Sequence, residues 1–200
     1  MFFYDRNKRL TKISNISNNN ETSTLYFYDT SGLLISKEII PDLNSNMPLK
    51  TTYEYNNDRQ LILEREDSLY KTSYSYNTNG KLISKLTDYP QRPELFTYKY
   101  DALNRLIEIS RNNEKEISYV YSNSLVIAEI HYNQNKALYK FEYKYDYQGL
   151  RLEEMENDKI IKKNVYDSYN RLKESCTFYY GIDPCYRSCC SEYVYRYEYY

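Results

Sequence analysis

The stretch "YKYDALNRLIEIS", residues 98–110, decides the fold, because the chain contains it many times over. "FFYDRNKRLTKI" opens the sequence, and "YFYDTSGLLISK", "YEYNNDRQLILE" and "YSYNTNGKLISK" follow. "YVYSNSLVIAEI", "YKYDYQGLRLEE" and "NVYDSYNRLKES" come later. With the second tyrosine of each copy as origin, the copies stand at Tyr4, Tyr28, Tyr55, Tyr76, Tyr100, Tyr121, Tyr145 and Tyr166. The intervals are 24, 27, 21, 24, 21, 24 and 21 residues. Two positions earlier stand Phe2, Tyr26, Tyr53, Tyr74, Tyr98, Tyr119, Tyr143 and, once, Asn164, with polar residues such as Glu54, Ser75, Lys99 and Lys144 between. An aromatic, polar, aromatic order has the period of a strand with one face covered.

An acid or amide follows the tyrosine: Asp5, Asp29, Asn56, Asn77, Asp101, Asp146 and Asp167, with Ser122 as the weak copy. Such side chains accept hydrogen bonds from backbone N–H groups just ahead of them and so start turns. Three residues on stand Gly32, Gly80, Asn104, Gly149 and Asn170, types that tolerate a left-handed backbone. Lys8, Arg59 and Leu125 interrupt this pattern. A strand then restarts at Leu10, Leu34, Leu61, Leu82, Leu106, Ile127 and Leu172, and the Tyr145 copy reads as shifted by one, with Leu152 in that role. Each motif is therefore the bend of a β-hairpin closed by a turn ending in a left-handed residue. The opposite hairpin ends, among them "PDLNSNMPLK", "YPQRPE", "RNNEKE", "NQNK" and "END", read as polar loops of variable length, which explains the three- and six-residue differences in spacing. Pro41, Pro48, Pro90 and Pro93 fall there, where no ladder hydrogen bond is needed.

The expectation is an all-β chain of tandem hairpins forming one continuous antiparallel sheet, twisted or spiralling because a flat strip cannot cover its ring-bearing face. Residues 1–175 read as eight repeats. Residues 176–200 read as a cysteine-containing loop and the incoming strand of a ninth, with Tyr193, Tyr195, Tyr197 and Tyr199 on one face. Strand edges left at either end would pair with further repeats or with another molecule. The repeat also accounts for 28 tyrosines beside no tryptophan, since unrepeated cores bury aliphatic residues more readily than tyrosine.

The frame Tyr-Asp-x-x-Gly-Arg-Leu resembles the YD repeats of RHS proteins. Tyr100-Asp101 with Asn104-Arg105-Leu106, and Tyr166-Asp167 with Asn170-Arg171-Leu172, carry the resemblance best, and Tyr28-Asp29 with Gly32 and Leu34 is nearly as good. Tyr76 with Gly80, and Tyr145-Asp146 with Gly149, fit the same frame. The resemblance implies a spiralling sheet of bacterial origin, wound into a hollow shell in large relatives from toxin complexes, RHS toxins and teneurins. It further implies a non-catalytic role in encapsulation, adhesion or carbohydrate binding, at the cell surface or after secretion. At 200 residues the sequence is too short to close such a shell, and it contains neither a toxin domain nor a self-cleaving core segment.

The remaining features select no chemistry. A net charge of -1 gives no bulk attraction to nucleic acid. The longest apolar runs are scraps such as "LLI", far below a membrane span, and the first residues enter the repeat without the apolar segment of a signal peptide. His131 is the sole histidine, and a Ser/His/Asp triad has no second support. Four glycines leave no phosphate-cradling loop, so no cofactor is expected. Cys176, Cys185, Cys189 and Cys190 cluster in one loop. They read as unpaired thiols, as two disulfides in either order, or as a metal site that lacks paired C-x₂-C knuckles. Tyr132, Tyr139, Tyr147, Tyr169 and Tyr186 lie outside the frame and are candidates for stacking on sugar rings. The first expectation is thus a scaffold or shell segment without enzymatic activity, and the second a carbohydrate- or protein-binding module.

Overall fold

A computed structural model describes residues 1–17, 20–41, 48–67, 69–178 and 193–196. Every element among them is a β-strand, and pairing is antiparallel throughout. The chain forms two compact units, residues 1–97 and 98–200.

The first unit contains β1 (Phe2–Tyr4), β2 (Leu10–Ser17), β3 (Asn20–Tyr28), β4 (Leu34–Ile40), β5 (Leu49–Tyr55), β6 (Leu61–Glu66), β7 (Tyr70–Tyr76), β8 (Leu82–Asp88) and the start of β9 (Glu94–Tyr100). The second continues with the last residues of β9, then β10 (Leu106–Arg111), β11 (Glu114–Ser122), β12 (Leu125–Asn133), β13 (Lys136–Tyr145) and β14 (Arg151–Glu156). β15 (Lys159–Tyr166), β16 (Leu172–Thr177) and β17 (Tyr193–Arg196) complete it. Each strand pairs with its neighbours in chain order, and within each unit the described strands contact no others. β17 pairs with β16 through Ser175↔Tyr195 and Cys176↔Val194.

The hairpin bends share one register. The second tyrosine pairs with the residue six places on, as in Tyr28↔Leu34, Tyr55↔Leu61, Tyr76↔Leu82 and Tyr166↔Leu172. The residue before it pairs two places further, so the returning strand carries an extra residue, a β-bulge. The Tyr145 copy keeps this register through Tyr145↔Arg151. Its backbone is therefore not shifted, contrary to the expectation; leucine and arginine have exchanged places, at Leu150 and Arg151.

Lys8 and Arg59 also conform. Their φ values are 61° and 63°, beside 65° at Asn104, 62° at Asn170, 86° at Gly32, 75° at Gly80 and 86° at Gly149. The turn imposes the left-handed conformation whichever residue occupies the position, at a conformational cost where it is not glycine. Only the Tyr121 copy differs, turning in two residues between Ser122 and Leu125. Three ends read as variable loops are equally tight. Asn112-Asn113, Gln134-Asn135 and Asn157-Asp158 each join paired strand ends with two positive φ values, the type I′ arrangement whose twist matches a hairpin.

The described residues form no aliphatic core in either unit, and among them Ala128 is the one buried apolar residue. The other buried positions are hydroxyl-bearing: Ser14, Ser23, Ser36, Thr51, Thr72, Thr87, Ser110 and Ser175. In a single layer, small residues are covered by longer cross-strand neighbours, whereas the long side chains keep one end open. Their hydroxyls pair where they meet, Ser14 with Ser23 at 3.3 Å and Thr72 with Thr87 at 3.1 Å.

Candidate functional site: the turn row

Asp5, Asp29, Asp101, Asp146 and Asp167 each close their turn in the same way. The Asp N–H donates to the carbonyl of the residue four on, as from Asp101 to Arg105 at 3.0 Å. The left-handed residue donates back, as from Asn104 to Asp101 at 2.9 Å. In Asp5, Asp101, Asp146 and Asp167 one carboxylate oxygen accepts two further backbone N–H groups, as Asp101 Oδ1 does from Leu103 and Arg105. Asp29 Oδ1 instead accepts the Leu33 N–H and the Ser31 hydroxyl. Asn56 and Asn77 use their amide oxygens similarly. Donation to the ionised form, led by the Arg9, Arg105 and Arg171 backbone N–H groups, holds Asp5, Asp101 and Asp167 below the usual carboxylate range. The acid of the motif is thus spent on the turn.

The tyrosine of the motif is spent between hairpins. Tyr28 Oη donates to the carbonyl of Leu10 (2.9 Å), Tyr55 to Leu34 (2.9 Å) and Tyr76 to Leu61 (2.7 Å). Tyr121 donates to Leu106 (2.8 Å), Tyr145 to Val126 (2.7 Å) and Tyr166 to Arg151 (3.1 Å). Every acceptor lies at or next to the start of the preceding hairpin's returning strand. The ring fills the space between two bends and the hydroxyl locks onto the earlier one. Phenylalanine would supply the ring but not the bond.

The first tyrosine of five motifs faces a charged residue: Tyr26↔Lys37, Tyr53↔Glu64, Tyr74↔Lys85, Tyr119↔Glu129 and Tyr143↔Glu154. Glu64 accepts from both Tyr70 (3.0 Å) and Tyr74 (3.1 Å). Burial, and then the neighbouring carboxylates, push Tyr53 and Tyr119 up, and Tyr74 and Tyr143 up to about 12. These phenols stay protonated, and Tyr74 donates to Glu64.

The stacking candidates separate clearly. Tyr132 is engaged, its hydroxyl 3.0 Å from Ser118 Oγ and its ring under Lys115 Nζ at 5.2 Å. Tyr139 packs with Phe141 and His131, and His131 Nε2 lies 2.5 Å from Glu129 Oε1. Tyr147 and Tyr169 stand at bend tips with 93% and 77% of their surface open. Tyr186, Cys185, Cys189 and Cys190 lie outside the described residues. Cys176 is half-buried on β16. No cluster of His, Cys, Asp and Glu suited to a metal occurs among the described residues, and no described helix is long and apolar enough to cross a membrane.

Sequence reasoning missed the arginine after the left-handed residue. Arg9 and Arg105 each pair with their own turn aspartate, at 2.7 and 2.6 Å, and cover the next hairpin's tyrosine. The Arg of the Gly-Arg-Leu frame was the available signal. Its partner on the following hairpin was not visible from within one copy.

The fold is similar to that of chains in solved structures of toxin complexes. A TcdB2-TccC3-Cdc42 crystal structure matches with a TM-score of 0.60 over 86% of this chain at 13% identity. The TcdB2-TccC3-TEV structure gives 0.57 over 98% at 14%. The Photorhabdus luminescens Tc holotoxin pore gives 0.56 over 99% at 14%. The fold is that of a YD-repeat sheet. The chain spans 11–13% of the length of those toxin chains. No family model and no curated protein matches the sequence.

Proposed function

We propose that this chain is a structural YD-repeat module without enzymatic activity, a scaffold or shell segment of a larger bacterial surface or secreted toxin-type assembly. The observation that carries the reading is the use of the repeated groups. Each turn aspartate closes its own bend, and six tyrosine hydroxyls bind the preceding hairpin. Residues that recur because they join neighbours belong to a repeat array, whose stability is a sum of local and nearest-neighbour terms. The likeness to toxin-complex chains supports the same reading at the level of fold. Further repeats or subunits at the sheet edges are the partners it calls for.

The test is the size of the native particle. Under gentle extraction from its source, the chain should elute within an assembly much larger than its own 24.3 kDa. Elution as a lone chain at native abundance would refute the reading.

A second reading, a binding module for protein or carbohydrate, draws on the open tips at Tyr147 and Tyr169. Binding of the purified chain to immobilised glycans, lost in Tyr147→Ala and Tyr169→Ala variants, would favour the carbohydrate form of it.

A further inference from the structure

Two bends show how the space between successive turns is filled. Arg9 Nε donates to Asp5 Oδ2 at 2.7 Å, its guanidinium carbon lies 4.9 Å from the Tyr28 ring centroid, and Nη1 lies 3.5 Å from the Asp29 carbonyl. Arg105 repeats all three contacts, with Asp101 Oδ2 at 2.6 Å, the Tyr121 ring at 4.5 Å, and the Asn123 carbonyl. At a third bend Gln60 reaches the Gly80 carbonyl at 3.0 Å. Between the turns of Asp29 and Asn56, where Leu33 holds the arginine position, Arg59 closes the gap from the other side by donating to the Ser31 carbonyl at 3.2 Å.

The bend at Asp146 has none of these. Leu150 holds the arginine position, and Asn170, rather than an arginine, is the left-handed residue of the next turn. Arg151 is turned away, 4.2 Å over the Tyr143 ring and 3.5 Å from Glu154. Asp146 Oδ1 accepts the Gln148 and Leu150 N–H groups, each at 2.9 Å, and among the described residues its other oxygen has no cation. Asp5, Asp101 and Asp167 do have one, in Arg9, Arg105 and Arg171. Asn164 stands on the wall of the same gap in place of an aromatic residue, its amide donating to the Arg151 carbonyl at 3.0 Å. The result is a groove of about 580 Å³ lined by Asp146, Leu150, Leu152, Asn164, Tyr166 and Asp167.

We propose that this groove binds the arginine side chain of a partner polypeptide. The incoming guanidinium takes the place that Arg9 and Arg105 fill within the chain. It pairs with Asp146 Oδ2, lies over the Tyr166 ring and donates toward the Asp167 turn, while its methylenes rest on Leu150. A planar, weakly hydrated cation suits a carboxylate beside an aromatic face better than an ammonium does. Tyr147, open at the lip, covers a residue flanking the arginine.

The test uses the full 200-residue chain and the blocked tripeptide Ac-Gly-Arg-Gly-NH₂, followed by the ring resonances of Tyr166 and Tyr147. Saturable shifts are expected, with affinity reduced about tenfold for the lysine tripeptide and lost for citrulline, which keeps the shape without the charge. Leu150→Arg should abolish binding, because it supplies the missing guanidinium from within. Asp146→Asn should weaken binding about tenfold while keeping the turn, since Asn56 and Asn77 hold that position in other copies. Circular dichroism confirms that both variants retain the sheet. Equal binding of the arginine and lysine peptides, unchanged binding by folded Leu150→Arg, or no saturable shift in the parent chain would each overturn the proposal.

Discussion

Gly80 and Lys8 occupy the same place in two turns, with φ of 75° and 61°, and they make opposite predictions. A side chain at Gly80 would be strained by its backbone, and its Cβ would meet Gln60 Nε2 at 3.2 Å. Gly80→Val should therefore destabilise by about 1–2 kcal/mol in urea unfolding. Lys8 already bears that strain, so Lys8→Gly should stabilise by about 0.5–1 kcal/mol. An unchanged midpoint in both would mean that the left-handed position is not a constraint. This position was legible in the sequence wherever glycine or asparagine marked it. At Lys8 and Arg59 the residue type pointed elsewhere, and the turn prevailed because Asp5 fixes it through four backbone-directed bonds and Asn56 through three. Tyrosine was legible as a covered aromatic. The purpose of its hydroxyl was not, because its acceptor is a backbone carbonyl fifteen or more residues earlier, and no side chain records it.

At the scale of elements, Glu108 on β10 joins β9 and β11. It accepts from Lys99 Nζ (2.6 Å) and Lys115 Nζ (2.8 Å), and these bonds, Lys115 first, pull its carboxyl down to about 2. The folded value lies below the unfolded one. Its contribution is therefore complete above the ordinary carboxylate value of 4.5 and is lost as the pH falls toward 2. Glu108→Gln should lower stability at neutral pH and flatten its pH dependence between about 4.5 and 2. Parallel urea titrations at both ends of that range measure this, and an identical acid slope in the variant would contradict it. Because both lysines are partly open to solvent, the effect should shrink in high salt. The hairpins themselves were legible because strand period and turn chemistry agree in every copy. The type I′ ends at Asn112-Asn113 and Asn157-Asp158 carried their signal too, in paired left-handed-tolerant residues, but the longer proline-bearing loops at equivalent ends obscured it. The exchange of leucine and arginine at 150 and 151 reads as a frame shift in one dimension. Only the register Tyr145↔Arg151 shows it to be a substitution, and with it an empty place.

For the whole molecule, stability is a matter of stitches between neighbours rather than of an apolar core, since among the described residues Ala128 alone is a buried apolar residue. Disturbances should then be local and similar from copy to copy, as in other repeat arrays. The measurement that tests this most directly is a scan of single Tyr→Phe variants by equilibrium unfolding. It compares Tyr28, Tyr55, Tyr76, Tyr121 and Tyr145, whose hydroxyls bind the preceding hairpin, with Tyr147 and Tyr169, which stand open at bend tips. The account predicts a loss of about 1 kcal/mol at each stitched tyrosine, where a carbonyl is left without its donor, and less than about 0.5 kcal/mol at the two open ones. Equal, negligible losses in both groups would contradict it and leave the tyrosines as rings alone.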